Sequence, residues 1–281
     1  MPYMSFGTLR AYGKSPLLVG VSLPASVSVI DLSALAWATP FDVAALATLW
    51  SLRQATGHTP ALLLPADPLV RAYLVDMGLA EFIPGDWGAG SGSMAERPWL
   101  PLTRVWSADE WDDLQNEIWA TARSSLGNYE LTQRTLDILG ELVDNAATHG
   151  RSEVGTFVCA QRYGGTTSGL PPGVWLGITD AGVGIPAHLR RNPRYAKTPS
   201  DVDLIRLARR PWVTGTADRR GWGLVDVFEK AAEAGPSQVL IRSGGAQGAF
   251  WLRPGGRPAA RYRPCTPPTP GTWIHVLVQG T

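Results

Sequence analysis

The chain has 281 residues and an almost balanced charge, with 25 Lys and Arg against 24 Asp and Glu. This length accommodates two domains of ordinary size, each with its own core. The balance of charge argues against a role that depends on a basic surface, such as nonspecific binding to nucleic acid or to an anionic membrane. The two cysteines, Cys159 and Cys265, are far apart and provide neither a zinc cluster nor a disulfide framework.

Targeting signals are not recognisable in the sequence. No apolar run approaches the length of a membrane span, and the N-terminal stretch lacks the basic and then apolar layout of a signal peptide. We therefore expect a soluble protein of the reducing cytoplasm that contacts neither nucleic acid nor a membrane directly.

The first part of the chain alternates between strand-like and helix-like stretches. Residues 17–23 and 26–32 are rich in Val, Leu and Ser and predict strands, and residues 60–65 predict a short buried strand. Helices are predicted over residues 42–58 and 67–79. This order predicts a small sheet with helices packed on it, in a domain that covers residues 1–87.

A stretch rich in Gly, Ser and Pro interrupts this pattern. We interpret residues 88–106 as a linker and residues 107–281 as a second domain. The first helix of that domain is predicted to begin after Ser107, because Glu110 three residues later completes a capping box. A second helix is predicted from about Tyr129 to Thr148, with Gly150 as its C-cap.

The rest of the second domain contains further strand-like runs and two helical stretches. The predicted strands are residues 154–163, 173–180, 237–243, 248–253 and 272–278, and the predicted helices are residues 201–210 and 223–235. The fold class predicted for the chain is therefore α/β. The second domain is expected to be a two-layer α/β sandwich, with a largely antiparallel sheet covered on one face by helices.

Two short stretches place polar side chains where a ligand can reach them. Glu141 and Asn145 lie four residues apart in ELVDNAATHG, so on a helix they share one face. Asp180 ends a predicted strand and begins DAGVGIP, in which Gly182 and Gly184 permit close approach of the backbone or a positive φ.

Two further stretches follow in the same half of the chain. RRGWGLVDVF places Gly221, Gly223 and Leu224 at a predicted helix start, where free N–H groups suit phosphate. PGTWIHVLV places Thr272 at the start of the last predicted strand. Each stretch alone is a weak signal, because many loops contain similar glycines.

In this order, the four stretches resemble the ATP-binding domain shared by gyrase, MutL and histidine kinases, which is the GHKL superfamily with the Bergerat fold. The N-A-x-x-H-G ending of the first stretch is most similar to that of anti-sigma-factor serine kinases. The resemblance covers about Ser107 to Thr281 and rests on the combination of the stretches. It implies ATP and Mg²⁺ as cofactors and a mixed, largely antiparallel sheet.

The resemblance also implies a role for each candidate residue. Asn145 is implied as the ligand of an Mg²⁺ ion on the triphosphate, a role that suits an amide oxygen. Glu141 is implied as the general base for a water or a serine hydroxyl. Asp180 is implied as the acceptor for the adenine amino group, with Thr272 near the same ring. The other implied contacts are Gly182 and Gly184 on the adenine side, and Gly221, Gly223 and Leu224 where a lid meets the phosphates.

The segment from Ile185 to Gly221 is long and basic, which suits a mobile lid, and Arg219 and Arg220 are candidate phosphate partners. Other polar residues have ordinary interpretations. Glu141 taken alone would be a solvated acid on a polar helix face. His149 is expected to cap or pack the end of its helix, and Cys159 is expected in the core of a strand.

Residues Val29–Leu79 resemble the STAS fold of anti-sigma-factor antagonists, which begins with D-L-S-x-L followed by a short loop and a helix. In phosphorylatable members that loop presents a serine. The aligned position here falls near Phe41, and the nearest hydroxyl is that of Thr39, before Pro40. The resemblance implies a degenerate STAS-like module that binds a partner or the ATP-binding domain.

The two resemblances imply a signalling protein of the anti-sigma serine-kinase type. It would use Mg-ATP to control a protein partner, such as a sigma factor or a STAS-type antagonist, by phosphorylation or by nucleotide-gated binding. A non-catalytic interaction module and an ATPase of another GHKL type are the alternatives, and a homodimer is left open. The sequence offers no dimerisation helix with a phosphoacceptor histidine, which argues against a histidine kinase.

Overall fold

The structure is a computed structural model that describes residues 29–88, 98–164, 172–215, 223–253, 255–257 and 259–279. The strand predicted at residues 17–23 lies outside these ranges, as do Arg219, Arg220 and Gly221. The described residues form an α/β structure with one small parallel sheet and one larger sheet whose neighbouring strands are all antiparallel. The predicted α/β class and largely antiparallel sheet are therefore confirmed.

The small sheet pairs β1 (Val29–Asp31) with β2 (Ala61–Leu63), and α1 (Pro40–Ala55) connects them. A second helix, α2 (Pro68–Asp76), follows and leads into a 3₁₀ turn. The N-cap of α1 is Thr39: its hydroxyl oxygen accepts a hydrogen bond from the Asp42 N–H, and the Asp42 carboxylate accepts one from the Thr39 N–H at 2.8 Å. Thr39 is buried, so its hydroxyl caps a helix and is not presented to solvent.

The large sheet has its strands in the order β3-β4-β5-β7-β6. The strands are β3 (Leu100–Val105), β4 (Thr156–Tyr163), β5 (Gly173–Asp180), β6 (Ser237–Leu252) and β7 (Ala259–Val278). β3 lies inside the residues predicted as a linker, and it forms an edge strand that pairs with β4. β6 joins the two strands predicted at residues 237–243 and 248–253, and β7 begins well before Thr272.

One face of the large sheet, the front face, packs against α3 (Ala108–Leu126), α4 (Tyr129–Asn145) and α7 (Gly223–Ala234). The predicted start of α3 is confirmed, because the Ser107 hydroxyl accepts a hydrogen bond from the Glu110 N–H at 3.2 Å. Two short helices, α5 (Gly184–Arg190) and α6 (Asp201–Leu207), occupy part of the segment predicted as a lid. Only α6 was predicted from the sequence.

The opposite face, the back face, is covered by α1. Phe157 and Cys159 of β4 belong to the same buried cluster as Leu46 and Trp50 of α1. The helices within residues 107–281 pack on the front face, and the back face is covered by a helix that was predicted for the first domain. No helix in the described part of the chain combines the length and the apolar character needed to cross a membrane.

Candidate functional site

A cavity of about 410 Å³ lies on the front face, where α4, α5 and α7 meet the ends of β5 and the middle of β7. Sites for small molecules commonly enclose roughly 300–1,000 Å³. Six of the residues predicted for the site line it: Glu141, Asn145, Asp180, Gly184, Leu224 and Thr272. Four stretches that are far apart in the sequence thus converge on one cavity.

Asp180 is the most deeply buried acid of the cavity, with 2% of its surface exposed. One carboxylate oxygen accepts a hydrogen bond from the Gly182 N–H at 2.7 Å, and the other accepts one from the Thr272 N–H at 3.2 Å. Burial raises the pKa of Asp180 to about 7, although both N–H donors act to lower it. Near neutral pH both the protonated and the ionised form are populated, so the group can either donate a hydrogen bond to a ligand or accept one from it.

Glycines allow the backbone to close around Asp180. A Cβ on Gly182 would lie 1.9 Å from the Gly150 carbonyl oxygen, and one on Gly271 would lie 2.2 Å from the Asp180 carbonyl oxygen. Gly184 has a φ of +72°, and a Cβ there would lie 2.7 Å from the Ser243 hydroxyl. Gly182 therefore does allow close approach, as predicted, but the group that approaches it is the backbone of Gly150 and not a ligand.

Asn145 is the last residue of α4, and its side-chain NH₂ donates a hydrogen bond to the Glu141 carbonyl oxygen at 2.6 Å. This bond fixes the amide and leaves its oxygen as the group that can coordinate a cation. The helix then widens into a π turn at Ala146–Gly150, a geometry that is often found at functional sites. Arg151, with a φ of 52°, caps this turn, so the predicted C-cap role of Gly150 was wrong.

Glu141 lies one turn before Asn145 and faces α7. Its carboxylate oxygen is 3.7 Å from the ammonium nitrogen of Lys230. Burial raises the pKa of Glu141, while Lys230 lowers it and the nearby Asp226 and Asp144 raise it. All three acids line the cavity, so this wall attracts a cation and repels a bare anion.

Two histidines line another part of the wall. The ring centroids of His149 and His188 are 4.5 Å apart. The His188 Nε2 atom accepts a hydrogen bond from the Gly215 N–H at 3.2 Å, which ties α5 to the chain beyond α6. Burial, and then the neighbouring His149, lower the pKa of His188 to about 4. His149 lies in the π turn at the end of α4 and packs against the His188 ring, in agreement with the packing role that the sequence predicted.

The apolar wall of the cavity was missed by the sequence reasoning. Ile178 and Ile274 line it, and they lie two residues from Asp180 and Thr272 along their strands. Because side chains two apart in a strand point to the same face, this spacing was an available signal. Leu189 and Val213 complete the wall from the segment predicted as a lid. That part of the segment carries a packed apolar cluster.

Two of the other predicted contacts, Gly182 and Gly223, are described by the structure and do not line the cavity. Gly182 lies behind its wall, and Gly223 begins α7. Gly221 belongs to residues that are not described. Within the described ranges, no group of three or more His, Cys, Asp or Glu side chains could hold a metal ion.

The geometry defines a class of site: an apolar slot with one buried carboxyl group at its base and an amide within an acidic wall. Such a site offers an apolar surface and a hydrogen-bonding carboxyl group to a small molecule, and an acidic wall to a cation. No protein-family model matches the chain. A search of curated proteins likewise gives no significant match.

Proposed function

We propose that the cavity binds an adenine nucleotide with Mg²⁺ and that nucleotide binding controls a protein partner. The observation that carries the proposal is the buried carboxyl group of Asp180, which lies beside Ile178 and Ile274 in the apolar slot. Ile178 and Ile274 are cross-strand neighbours, and a planar base packed over this pair would place an amino group within reach of the carboxylate. The resemblance of the four stretches to GHKL proteins points to the same ligand.

The acidic wall supports magnesium as part of the ligand. Glu141, Asp144 and Asp226 would repel the phosphates of a free nucleotide, whereas a phosphate-bound divalent cation reverses that interaction. The side-chain oxygen of Asn145 is a hard ligand among the acids of this wall. Asn145 would thus hold the cation, and Leu224 and Gly184 would line the nucleotide beside it.

Phosphoryl transfer is the chemistry proposed for Glu141. A base works best when its pKa lies near the working pH, and burial moves the pKa of Glu141 in that direction. As a base, it would accept the proton of a serine hydroxyl on a partner or of a water. The proposed partners are a sigma factor or a STAS-type antagonist in the cytoplasm, and nucleotide-gated binding without catalysis is the alternative.

Calorimetric titration of Mg-ATP into the wild type and into Asn145→Ala tests nucleotide binding. We expect binding by the wild type and a large loss of affinity in the variant. Asn116→Ala is a matched control, because the Asn116 side chain makes the same kind of bond to the carbonyl four residues earlier, at 2.9 Å, on the exposed surface of α3. Absence of binding by the wild type would refute the proposal.

Transfer of labelled phosphate to a STAS-type protein tests the catalytic step. If Glu141 is the base, Glu141→Gln abolishes transfer while Mg-ATP still binds. ATP-dependent partner binding that persists unchanged in Glu141→Gln, without any transfer by the wild type, would instead establish the non-catalytic alternative.

A further inference from the structure

The first turn of α1 is seated on the centre of the back face. Gly177, in the middle of β5, has no side chain, and a Cβ there would lie 2.5 Å from the Pro40 carbonyl oxygen and 2.6 Å from the Phe41 Cα. On the neighbouring strand, the Cys159 thiol donates a hydrogen bond to the same Pro40 carbonyl at 2.9 Å. The helix backbone therefore fills the space that a side chain would otherwise take.

The same side of α1 also reaches the end of β5 and the middle of β7. The hydroxyl oxygens of Thr48 and Thr179 are 2.7 Å apart, and neither residue is exposed. The rings of Phe41 and Trp273 meet edge to face, with centroids 6.3 Å apart. Phe41, Thr48 and their neighbours in this contact recur at helical spacing, so one side of α1 makes it. The contact residues of α1 are Phe41, Ala45, Thr48 and Leu49.

Thr179 and Trp273 are the chain neighbours of Asp180 and Thr272, and they pair with each other across the two strands. Because successive side chains in a strand point to opposite faces, α1 contacts these strands directly behind the base of the cavity. Trp273 adds a direct link, since its indole N–H donates a hydrogen bond to the Asp180 carbonyl oxygen at 3.2 Å. Thr272 in turn donates its N–H to the Asp180 carboxylate.

We infer that α1 sets the position of Asp180 and Thr272 and thereby the ligand affinity of the cavity. Thr48 is a positioning residue, which acts through Thr179, and Phe41 acts through Trp273. The module that the sequence predicts to bind a partner or the ATP-binding domain is thus a support for the cavity in the same chain. A partner that draws α1 away from the sheet would weaken binding at a site that it does not touch.

The affinity part of this inference rests on the proposed nucleotide, so the test has two readouts. The first is the titration of the Asp180 carboxyl group by NMR in the absence of nucleotide. The second is Mg-ATP affinity by calorimetry. The variants are Thr48→Val, which removes the hydroxyl at nearly constant volume, Thr179→Val, and the double variant. Thr48→Ser is the conservative variant, because it keeps the hydroxyl.

A matched control is Thr135→Val on α4. Thr135 is fully buried, and its hydroxyl has no hydrogen-bond partner within the described part of the chain. The Thr135→Val variant therefore shows the effect of a buried Thr→Val substitution that breaks no hydrogen bond. Thermal unfolding of every variant shows whether it is folded at the temperature of the measurements.

We expect Thr48→Val and Thr179→Val each to displace the titration midpoint of Asp180 and to lower Mg-ATP affinity about fivefold, which corresponds to about 1 kcal/mol. The double variant should lose no more than either single variant, because both remove the same bond. Thr48→Ser should keep both readouts at their wild-type values, and Thr135→Val should change neither.

An unchanged titration midpoint in folded Thr48→Val would overturn the inference, and so would equal losses in Thr135→Val and Thr48→Val. If the wild type binds no Mg-ATP, the proposed function fails, while the Asp180 titration still decides whether α1 positions this residue. A lower unfolding temperature with both readouts unchanged would mean that the contact is structural only, which also overturns the inference.

Discussion

Lys230 on α7 holds its ammonium nitrogen 3.7 Å from a carboxylate oxygen of Glu141 on α4. Both side chains are about one-third exposed, at 30% and 32%, so water weakens the attraction. The pair nevertheless joins two helices that line the cavity from different parts of the sequence. It also opposes the effect of burial on the pKa of Glu141.

Replacement of Lys230 by Met should raise the pKa of Glu141. The ammonium group of Lys230 lowers the pKa of Glu141 in the wild type, and its removal takes that effect away. If Glu141 is a general base, the acid limb of the pH–rate profile moves to higher pH by the same amount. NMR titration of the Glu141 carboxyl group measures the change directly. Lys197→Met, at an exposed lysine between α5 and α6, is the control and should leave this titration where it is.

Asp180 should make the protein less stable as the pH rises through the acidic range. Its pKa is about 7 in the folded protein against an ordinary 3.8, so folding favours the protonated form. The resulting contribution to stability is complete below about pH 4 and is lost as the pH rises to about 7. Urea unfolding should therefore show the wild type losing stability relative to Asp180→Asn across this window. A difference that does not vary with pH would contradict the assignment.

His275 should produce a pH dependence of the opposite sign. This histidine lies on the back face, where its ring centroid is 6.1 Å from that of Phe41 and 5.1 Å from that of Trp175. Burial lowers its pKa from 6.5 to about 4, so its contribution is present above pH 6.5 and is lost as the pH falls to about 4. In urea unfolding, the wild type should lose stability relative to His275→Phe over that range. His58→Gln, at an exposed histidine, should not reproduce the effect.

A side chain at position 177 should disturb the packing of α1 on the back face of the sheet. Gly177→Ala would place a methyl group within 2.6 Å of the backbone of Phe41, and overpacking of this kind costs about 1–3 kcal/mol. Urea unfolding measures the loss of stability. The control is Gly256→Ala, in an exposed turn where the nearest contact of the new Cβ would be the Arg253 side chain at 3.2 Å. Equal stability of the two variants would show that α1 is not held at this point.

Local signals predicted the helices at the front of the sheet. The capping pattern of Ser107 and Glu110 gave the start of α3, and the apolar spacing gave most of α4. Glu141 and Asn145 do share one side of α4, and Asp180 does end β5. These features depend on residues close in sequence, which is why periodicity and capping rules were sufficient.

Other features depend on the sheet as a whole. β3 contains Pro101 and follows Pro98, which argued for a linker, but an edge strand tolerates proline. The first part of β7 contains several prolines and pairs with β6 alone, because β5 pairs with β7 only over Trp273–Val278. The contact of α1 with the back face depends on the missing side chain of Gly177, and a glycine within a strand does not indicate what approaches it.

Cys159 lies under the first turn of α1, and burial raises its pKa, so it should not react with thiol reagents while the helix is seated. The second cysteine, Cys265, is partly exposed and offers an internal reference in the same polypeptide. The rate at which a thiol reagent labels Cys159 therefore reports how often the helix leaves the sheet. Departure of α1 from the sheet can therefore be measured without an introduced probe, and in the presence of any ligand or partner.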